Sequence, residues 1–265
     1  MTALGIEAHY YSEPSPDHDK NEDFILAGPD FVVVLDGASP IPGIETGCLH
    51  DVPWVVRNLA AHLAADLATS TQPLPELLSV AIEKLCELHA DTCDLSNPES
   101  PSATVAMLRR RGDQVDYLVL ADSPIVFRMA DGSVSVMADS RIDNLPDYSI
   151  NSVRALRNNE DGFWVASTEP DAARHAITGT LNLVDDPIHS AAILTDGAAT
   201  LVERHGRTWP DLLNLLDESP RRLIQMTRET DENDAQPKRG KRHDDATAVL
   251  CLFPSRAYSD AGCTP

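Results

Sequence analysis

The sequence predicts an α+β fold in which helices are layered on antiparallel sheets. Short apolar runs rich in β-branched side chains recur along the chain, as strands do. Two amphipathic helical patterns follow one another directly between Val52 and His89. Asp131-Gly132, set between two strand patterns, is a tight-hairpin signal that calls for antiparallel pairing. A parallel βαβ sheet needs a helix between successive strands. The order here is strands, two consecutive helices, many strands, then helices and a last strand.

The first clear strand is Phe31 to Leu35, an unbroken apolar run. A helix follows over Val52 to Ala68, with Val52, Val55, Val56, Leu59, Leu63 and Leu67 on one face, Asp51 as N-cap and Pro53 in the first turn. The second helix runs from Pro75 to His89 and is closed by the break Asn97 to Pro101. Strands are expected at Ala103 to Leu108, Val115 to Ala121, Ile125 to Met129, Val134 to Ala138, Phe163 to Ser167, Ala191 to Thr195 and Ala246 to Phe253. Helical patterns return at Asp171 to Thr178 and from Trp209 through Thr230. Glu229 to Arg242 is polar and reads as a mobile loop, and no internal repeat is present. One domain spans 1–254, and 255–265 reads as a disordered tail.

The chain has 265 residues, 42 of them acidic and 21 basic, for a net charge of −21. A nucleic-acid backbone is repelled by such a surface, so no nucleic-acid partner is expected. No apolar run is long enough to span a membrane and the N-terminal residues lack a leader pattern, so the expected location is the cytoplasm with no membrane partner. The five cysteines, Cys48, Cys86, Cys93, Cys251 and Cys263, include no CxxC pair. They read as reduced thiols, with neither a disulfide framework nor a thiolate zinc site. His175, His189 and His205 have no metal-ligand spacing and read as surface residues.

Four acidic clusters abut apolar strands. They are Asn21-Glu22-Asp23 before Phe24-Ile25-Leu26, Asp36-Gly37 after Phe31 to Leu35, Asp196-Gly197 after Ala192-Ile193-Leu194-Thr195, and Asp244-Asp245 before Ala246 to Leu250. A carboxylate at the end of a buried strand is costly unless paired or bound to a cation, and converging carboxylates are what hard Mg²⁺ or Mn²⁺ requires. Glycine after the aspartate permits a sharp turn and close approach of its carbonyl to an ion. Taken singly, Asp-Gly is first a turn dipeptide. Asp131-Gly132 and Asp161-Gly162 read as ordinary turns.

In order and spacing these clusters resemble the metal-dependent Ser/Thr protein phosphatases of type 2C, bacterial members included. The motifs that carry the resemblance are Asn21-Glu22-Asp23, Val34-Leu35-Asp36-Gly37, Ser102-Ala103-Thr104-Val105-Ala106, Ala121-Asp122-Ser123, Leu194-Thr195-Asp196-Gly197 and Asp244-Asp245-Ala246-Thr247, within Ile6 to Phe253. The resemblance implies a four-layer αββα sandwich of two antiparallel sheets, with two Mn²⁺ or Mg²⁺ ions at one end and a third in bacterial members. It makes Asp36 the aspartate bridging two metals, with Glu22 and the Gly37 carbonyl on one ion and Asp196 and Asp244 on the other. Asp23 supports bound water, and Asp122 with Asp196 holds the third ion. Asp36, Asp196 and Asp244 are thus the catalytic aspartates, and metal-activated water attacks phosphorus without a covalent enzyme intermediate. The implied substrate is a phosphorylated protein, at serine or threonine.

The chain also departs from the pattern. The arginine that grips phosphate in the family is replaced by His18, with Lys20 nearby; these two are the candidate phosphate-binding residues. The glycines after Asp36-Gly37 are replaced by Ala38-Ser39-Pro40, and the G-D-S-R motif reads Ala121-Asp122-Ser123-Pro124. Two alternatives follow: a catalytically weak pseudophosphatase acting as a binding module, and a phosphatase of a small phosphorylated metabolite. Thr46 to Asp51 leads into the first helix, where His50 could assist anion binding, against the simpler reading of a cap and turn. Asp139 to Tyr148, with Arg141 and Asp143, falls where the family has a variable flap.

Overall fold

The computed structural model describes residues 5–17, 19–38, 40, 43–147, 149–234 and 242–254. In chain order, its first half comprises β1 (Glu7–Glu13), β2 (Phe24–Ala27), β3 (Phe31–Ala38), α1 (Val52–Thr69), α2 (Leu74–His89), β4 (Ser102–Arg111), β5 (Gln114–Leu120), β6 (Ile125–Met129) and β7 (Val134–Met137). The second half comprises α3 (Ile150–Leu156), β8 (Ile177–Asn182), β9 (Ile188–Leu194), α4 (Asp196–Glu203), α5 (Trp209–Glu218), α6 (Pro220–Asn233) and β10 (Ala246–Leu252). Short 3₁₀ helices occupy Ile142–Asn144 and Pro170–His175.

The strands form two five-stranded sheets, ordered β1-β10-β9-β6-β7 and β2-β3-β4-β5-β8. Every pairing is antiparallel. Val32 and Val34 of β3 face inward and pack with Ala106, Leu108, Phe127, Ile193 and Val249 between the sheets. Their alternates Val33 and Leu35 pack outward with Leu59 and Leu63 of α1 and Leu78 and Ile82 of α2. On the opposite side, Ala192, Leu194 and Ala248 pack against Leu201, Leu212 and Leu223 of α4, α5 and α6. Each central strand is thus covered on both faces, which is why Phe31 to Leu35 reads as a continuous apolar run instead of an alternating one. The result is the expected four-layer αββα sandwich.

Asp51 caps α1 by accepting from the Trp54 backbone N–H at 3.1 Å. The Asp131-Gly132 hairpin joins β6 to β7, with Gly132 at φ +86°. Several expectations are corrected. Phe163 to Ser167 makes isolated bridges only, Ala103 with Ala166 and Arg157 with Phe163. Asp171 to Thr178 is a 3₁₀ turn running into the edge strand β8, which pairs with β5. The helix expected from Trp209 through Thr230 is two helices, because Ser219 is extended at φ −177° and caps the second, whose first residue is Pro220. The polar stretch from Glu229 begins as the last turn of α6; 235–241 and 255–265 lie outside the described residues. β1 was not anticipated, since half-exposed polar residues blur an edge strand's alternation. No described helix is long and apolar enough to cross a membrane.

Candidate functional site

The antiparallel order brings the acidic clusters to one end of the sandwich. Asp23 immediately precedes β2, whose Phe24 pairs with Leu35, so Asp23 lies beside Asp36 at the end of β3. Asp36 is itself within the strand, opposite Thr104 of β4. In the other sheet, the Thr195 backbone N–H donates to the Thr247 carbonyl at 3.0 Å, and the Leu194 N–H donates to the Pro124 carbonyl at 3.2 Å. Asp196, Asp244 and Asp122 are therefore neighbours. Asp36 feels the charges of Asp23, Asp196, Asp122 and Asp244 together.

Two further carboxylate contacts stitch the sheets into one site. Asp23 Oδ2 accepts from Thr247 Oγ1 at 2.7 Å and Thr195 Oγ1 at 3.1 Å, while its buried Oδ1 has no hydrogen-bond partner. Asp245 accepts from the Ser15 backbone N–H at 2.7 Å through Oδ1 and from the Glu22 N–H at 2.6 Å through Oδ2. Its own N–H donates to Asp244 Oδ1 at 3.1 Å. Asn21 shapes the same loop, accepting from the Asp23 N–H at 3.0 Å and donating to Ser12 Oγ at 2.7 Å.

The glycines after Asp36 and Asp196 are required by close approach, not by a left-handed turn. A Cβ on Gly37 would lie 2.3 Å from Val52 Cγ1 and 2.6 Å from the Glu22 carbonyl oxygen. One on Gly197 would lie 2.0 Å from the Asp245 carbonyl oxygen. Asp196 and Gly197 open α4, a helix the Asp-Gly turn reading did not foresee. At Ala121, where the resemblance expects glycine, φ is +65°.

Burial comes first among the forces on these acids. It holds the Asp36 and Asp196 carboxyls well above the usual range, reinforced for Asp36 by Asp23, Asp196 and Asp122 and for Asp196 by Asp122 and Asp244. Burial pushes Asp23 up to about 7 against the Thr247 hydrogen bond, with Asp245 adding repulsion. Asp122 rises to about 6, again through burial, then through Asp143 and Asp139. A group of crowded oxygen donors that retains protons this strongly, with the buried Asp23 Oδ1 unpartnered, fits a hard divalent cation.

The phosphate-binding candidates fare differently. His18 lies outside the described residues. Lys20 donates to Asp51 Oδ2 at 2.6 Å, both side chains being well exposed. Lys20 and Asp51 line a surface pocket of about 430 Å³ beside Asn21, and this pocket also contains Trp54 and Arg57, an exposed arginine the sequence reading passed over. Arg141 forks onto Asp139 at 2.9 and 2.5 Å and donates to the His175 carbonyl at 2.6 Å. The segment carrying Asp139 and Asp143 packs beside Asp122, with Leu145 in one cluster with Ala121, Phe163 and Val165.

Two histidines read as surface residues are largely enclosed: His175 stacks on Trp164 at 3.6 Å and His205 contacts Asp231 at 2.7 Å. His189 is exposed, as expected. His50 turns toward thiols. Cys48, His50, His89 and Cys93 place one potential ligand atom each within 4.8 Å of one another, a grouping that the absence of a CxxC pair did not suggest. The available signal was the pair of short spacings, one residue between Cys48 and His50 and three between His89 and Cys93.

The family model described as Protein phosphatase 2C matches residues 9–236. No curated protein sequence matches the chain. Among solved structures, the serine/threonine phosphatase Stp1 from Staphylococcus aureus superposes with a TM-score of 0.65 at 12% identity, over 96% of this chain and 98% of that one. The Mycobacterium tuberculosis phosphatase PstP/Ppp gives 0.61 at 15% identity, over 95% and 100% of the two chains. A PstP catalytic domain described as in complex with 2 manganese ions gives 0.57 at 15% identity, also over 95% and 100%. At these identities the structural likeness speaks for the fold.

Proposed function

This chain belongs to the protein phosphatase 2C family, and from that premise we propose that it hydrolyses phosphoserine or phosphothreonine in a protein substrate, using water activated by Mn²⁺ or Mg²⁺. The observation that supports this reading most is the convergence of Asp36, Asp122, Asp196 and Asp244 on one another at the end of the sheet pair. When bound, the cations supply Lewis acidity, lowering the pKa of water and offsetting charge on phosphoryl oxygens.

In this proposal Asp36, Glu22, the Gly37 carbonyl, Asp196 and Asp244 are the groups that would hold the two cations. Asp122 with Asp196 would hold a third. Asp23 acts one layer out: its Oδ2 is fixed by Thr195 and Thr247, and its buried Oδ1 would be the acceptor for water at the site. Asp245 does not ligate but fixes the Glu22 backbone and, through its own N–H, Asp244. The acids must ionise to hold cations, so protons and metal compete for them. Substrate charge is met at the pocket beside Asn21, where Lys20 and Arg57 are the positive groups and His18 is the third candidate.

The test is turnover, with Mn²⁺ added, of a phosphoserine or phosphothreonine peptide against small phosphate esters and an aryl phosphate. Peptide hydrolysis lost on chelation supports the proposal, whereas preference for small esters assigns a metabolite phosphatase. One observation favours the non-catalytic alternative: Lys20 is tied to Asp51. Absence of turnover on all three substrates with saturating Mn²⁺ would make the chain a binding module.

A further inference from the structure

Cys48 and His50 lie in the loop that leads to α1, His89 ends α2, and Cys93 lies in the turn beyond it. Cys48 Sγ is 3.6 Å from His50 Nδ1 and 3.5 Å from His89 Nδ1, and Cys93 Sγ is 3.5 Å from His50 Nδ1. A tetrahedral zinc ion, with Zn–S of about 2.3 Å and Zn–N of about 2.0 Å, separates its sulfur and nitrogen ligands by about 3.5 Å along each edge. We propose that Cys48, His50, His89 and Cys93 form a structural Zn²⁺ site, with both imidazoles ligating through Nδ1.

The surroundings suit this role. Backbone N–H groups of Leu49 and His50 donate to Cys93 Sγ at 3.3 Å and Cys48 Sγ at 3.5 Å, as donors around metal thiolates do. The His50 ring is held by stacking on Trp54 at 3.8 Å, and His89 is buried. The two segments are already joined by backbone contact, with the Asp94 N–H donating to the Gly47 carbonyl at 2.8 Å and Asn97 Nδ2 to the Glu45 carbonyl at 3.0 Å. Gly47 sits at φ +70°, and a Cβ there would lie 3.0 Å from Asn97, so this loop is built to close on the turn after α2. Four protein ligands complete a tetrahedron and leave no position for substrate, which marks the site as structural.

Zinc here would clip the head of α1 to the tail of α2, opposite the short connection that already joins them. The clip also stiffens the wall of the pocket lined by Asp51 and Trp54. Its thiolate and imidazole ligands prefer Zn²⁺ or Co²⁺ to the Mn²⁺ or Mg²⁺ suited to the all-oxygen acidic centre, so the two centres can be told apart chemically.

The experiment adds Co²⁺ to the full chain purified metal-free under reducing conditions. The expected result is an intense visible spectrum of tetrahedral Co²⁺ with a near-ultraviolet thiolate-to-cobalt charge-transfer band, saturating at about one equivalent per chain. Zn²⁺ should abolish it, and excess Mn²⁺ or Mg²⁺ should not. Cys48→Ser and Cys93→Ser, each with one thiolate left, should weaken the band by about half, and the Cys48→Ser/Cys93→Ser double variant should lose it, while all keep the far-ultraviolet circular dichroism of the parent. If either variant fails to fold, the wild-type spectrum and its displacement by Zn²⁺ still decide. A wild-type spectrum without charge transfer, or a band that persists in the Cys48→Ser/Cys93→Ser double variant, overturns the site.

Discussion

Asp245 Oδ2 accepts from the Glu22 backbone N–H at 2.6 Å, across 223 positions of sequence, and so fastens the acidic loop before β2 to the start of β10. The next acid in the same run, Asp244, is the proposed ligand, so adjacent aspartates divide positioning and coordination between them. Asp245→Ala leaves the Ser15 and Glu22 N–H groups without this acceptor. The expected result is a 10- to 100-fold weaker apparent Mn²⁺ affinity, roughly the range seen for groups that orient metal ligands, with kcat at saturating Mn²⁺ reduced much less. Titration of activity against Mn²⁺ checks this, and an unchanged midpoint would rule out a positioning role.

Asp36→Asn and Asp196→Asn remove charges from the centre of the crowded group. Each variant should lose several orders of magnitude in turnover. The metal-free fold should be kept or slightly stabilised, because repulsion among buried carboxylates is relieved. Phosphatase assays with saturating Mn²⁺, paired with thermal melts of the metal-free proteins, test both halves. Near wild-type turnover in both variants would show that the assignment is wrong.

Gly197→Ala tests the close approach of two chain segments. Its Cβ would lie 2.0 Å from the Asp245 carbonyl oxygen, a backbone atom that can yield only if β10 moves away from α4. A stability loss of about 1–3 kcal/mol is expected, as for overpacking in a tight interior, with a weaker Mn²⁺ midpoint. Gly132→Ala is the control, because a Cβ there meets nothing within 4 Å and only the left-handed φ of +86° resists it. If Gly197→Ala kept parental stability and Mn²⁺ affinity, the packing argument would fail.

How much of this was legible beforehand depended on how local the cause was. Asp51 as the α1 cap, the Asp131-Gly132 hairpin and the buried run Phe31 to Leu35 each announce themselves within a few residues. The acidic clusters were legible because each abuts an apolar strand. The anchoring role of Asp245 within them was not, since its partners Ser15 and Glu22 become neighbours only when β1 pairs with β10. The cysteine–histidine cluster was hidden likewise: Cys48 and His89 are 41 positions apart and meet only because α1 and α2 fold back on each other. β8 was missed because Ile177 to Asn182 is an edge strand of mixed exposure, whose register comes from β5 and not from its own pattern.

Arg57 shares a pocket with Lys20, whose Nζ donates to Asp51 Oδ2 at 2.6 Å. Arginine offers a planar fork to two phosphate oxygens. Arg57→Ala should therefore raise KM for a phosphopeptide about tenfold, on the scale of a charge-assisted hydrogen bond, with kcat nearly unchanged. Lys20→Ala should act more weakly. Steady-state kinetics of the two variants decides, and equal KM values for Arg57→Ala and wild type would place phosphate recognition elsewhere, with His18 the next residue to substitute.

The final expectation concerns pH and the metal-free protein. Asp23 is raised to about 7 and Asp122 to about 6, and Asp36 and Asp196 are also raised, all against an ordinary value of 3.8. The folded chain therefore binds more protons than the unfolded chain between those limits. The contribution of these acids is fully present below about pH 4 and is lost as pH rises through 6 and 7. From pH 5.5 to 7.5 the metal-free wild type should lose several degrees of Tm relative to Asp36→Asn, which lacks one of the titrating charges. Mn²⁺ competes with those protons, so it should raise the wild-type Tm more at pH 7.5 than at pH 5.5. Thermal melts at the two pH values, with and without Mn²⁺, provide the measurement. A wild-type Tm that rises with pH in parallel with Asp36→Asn would mean that the acids are not held protonated in the folded chain.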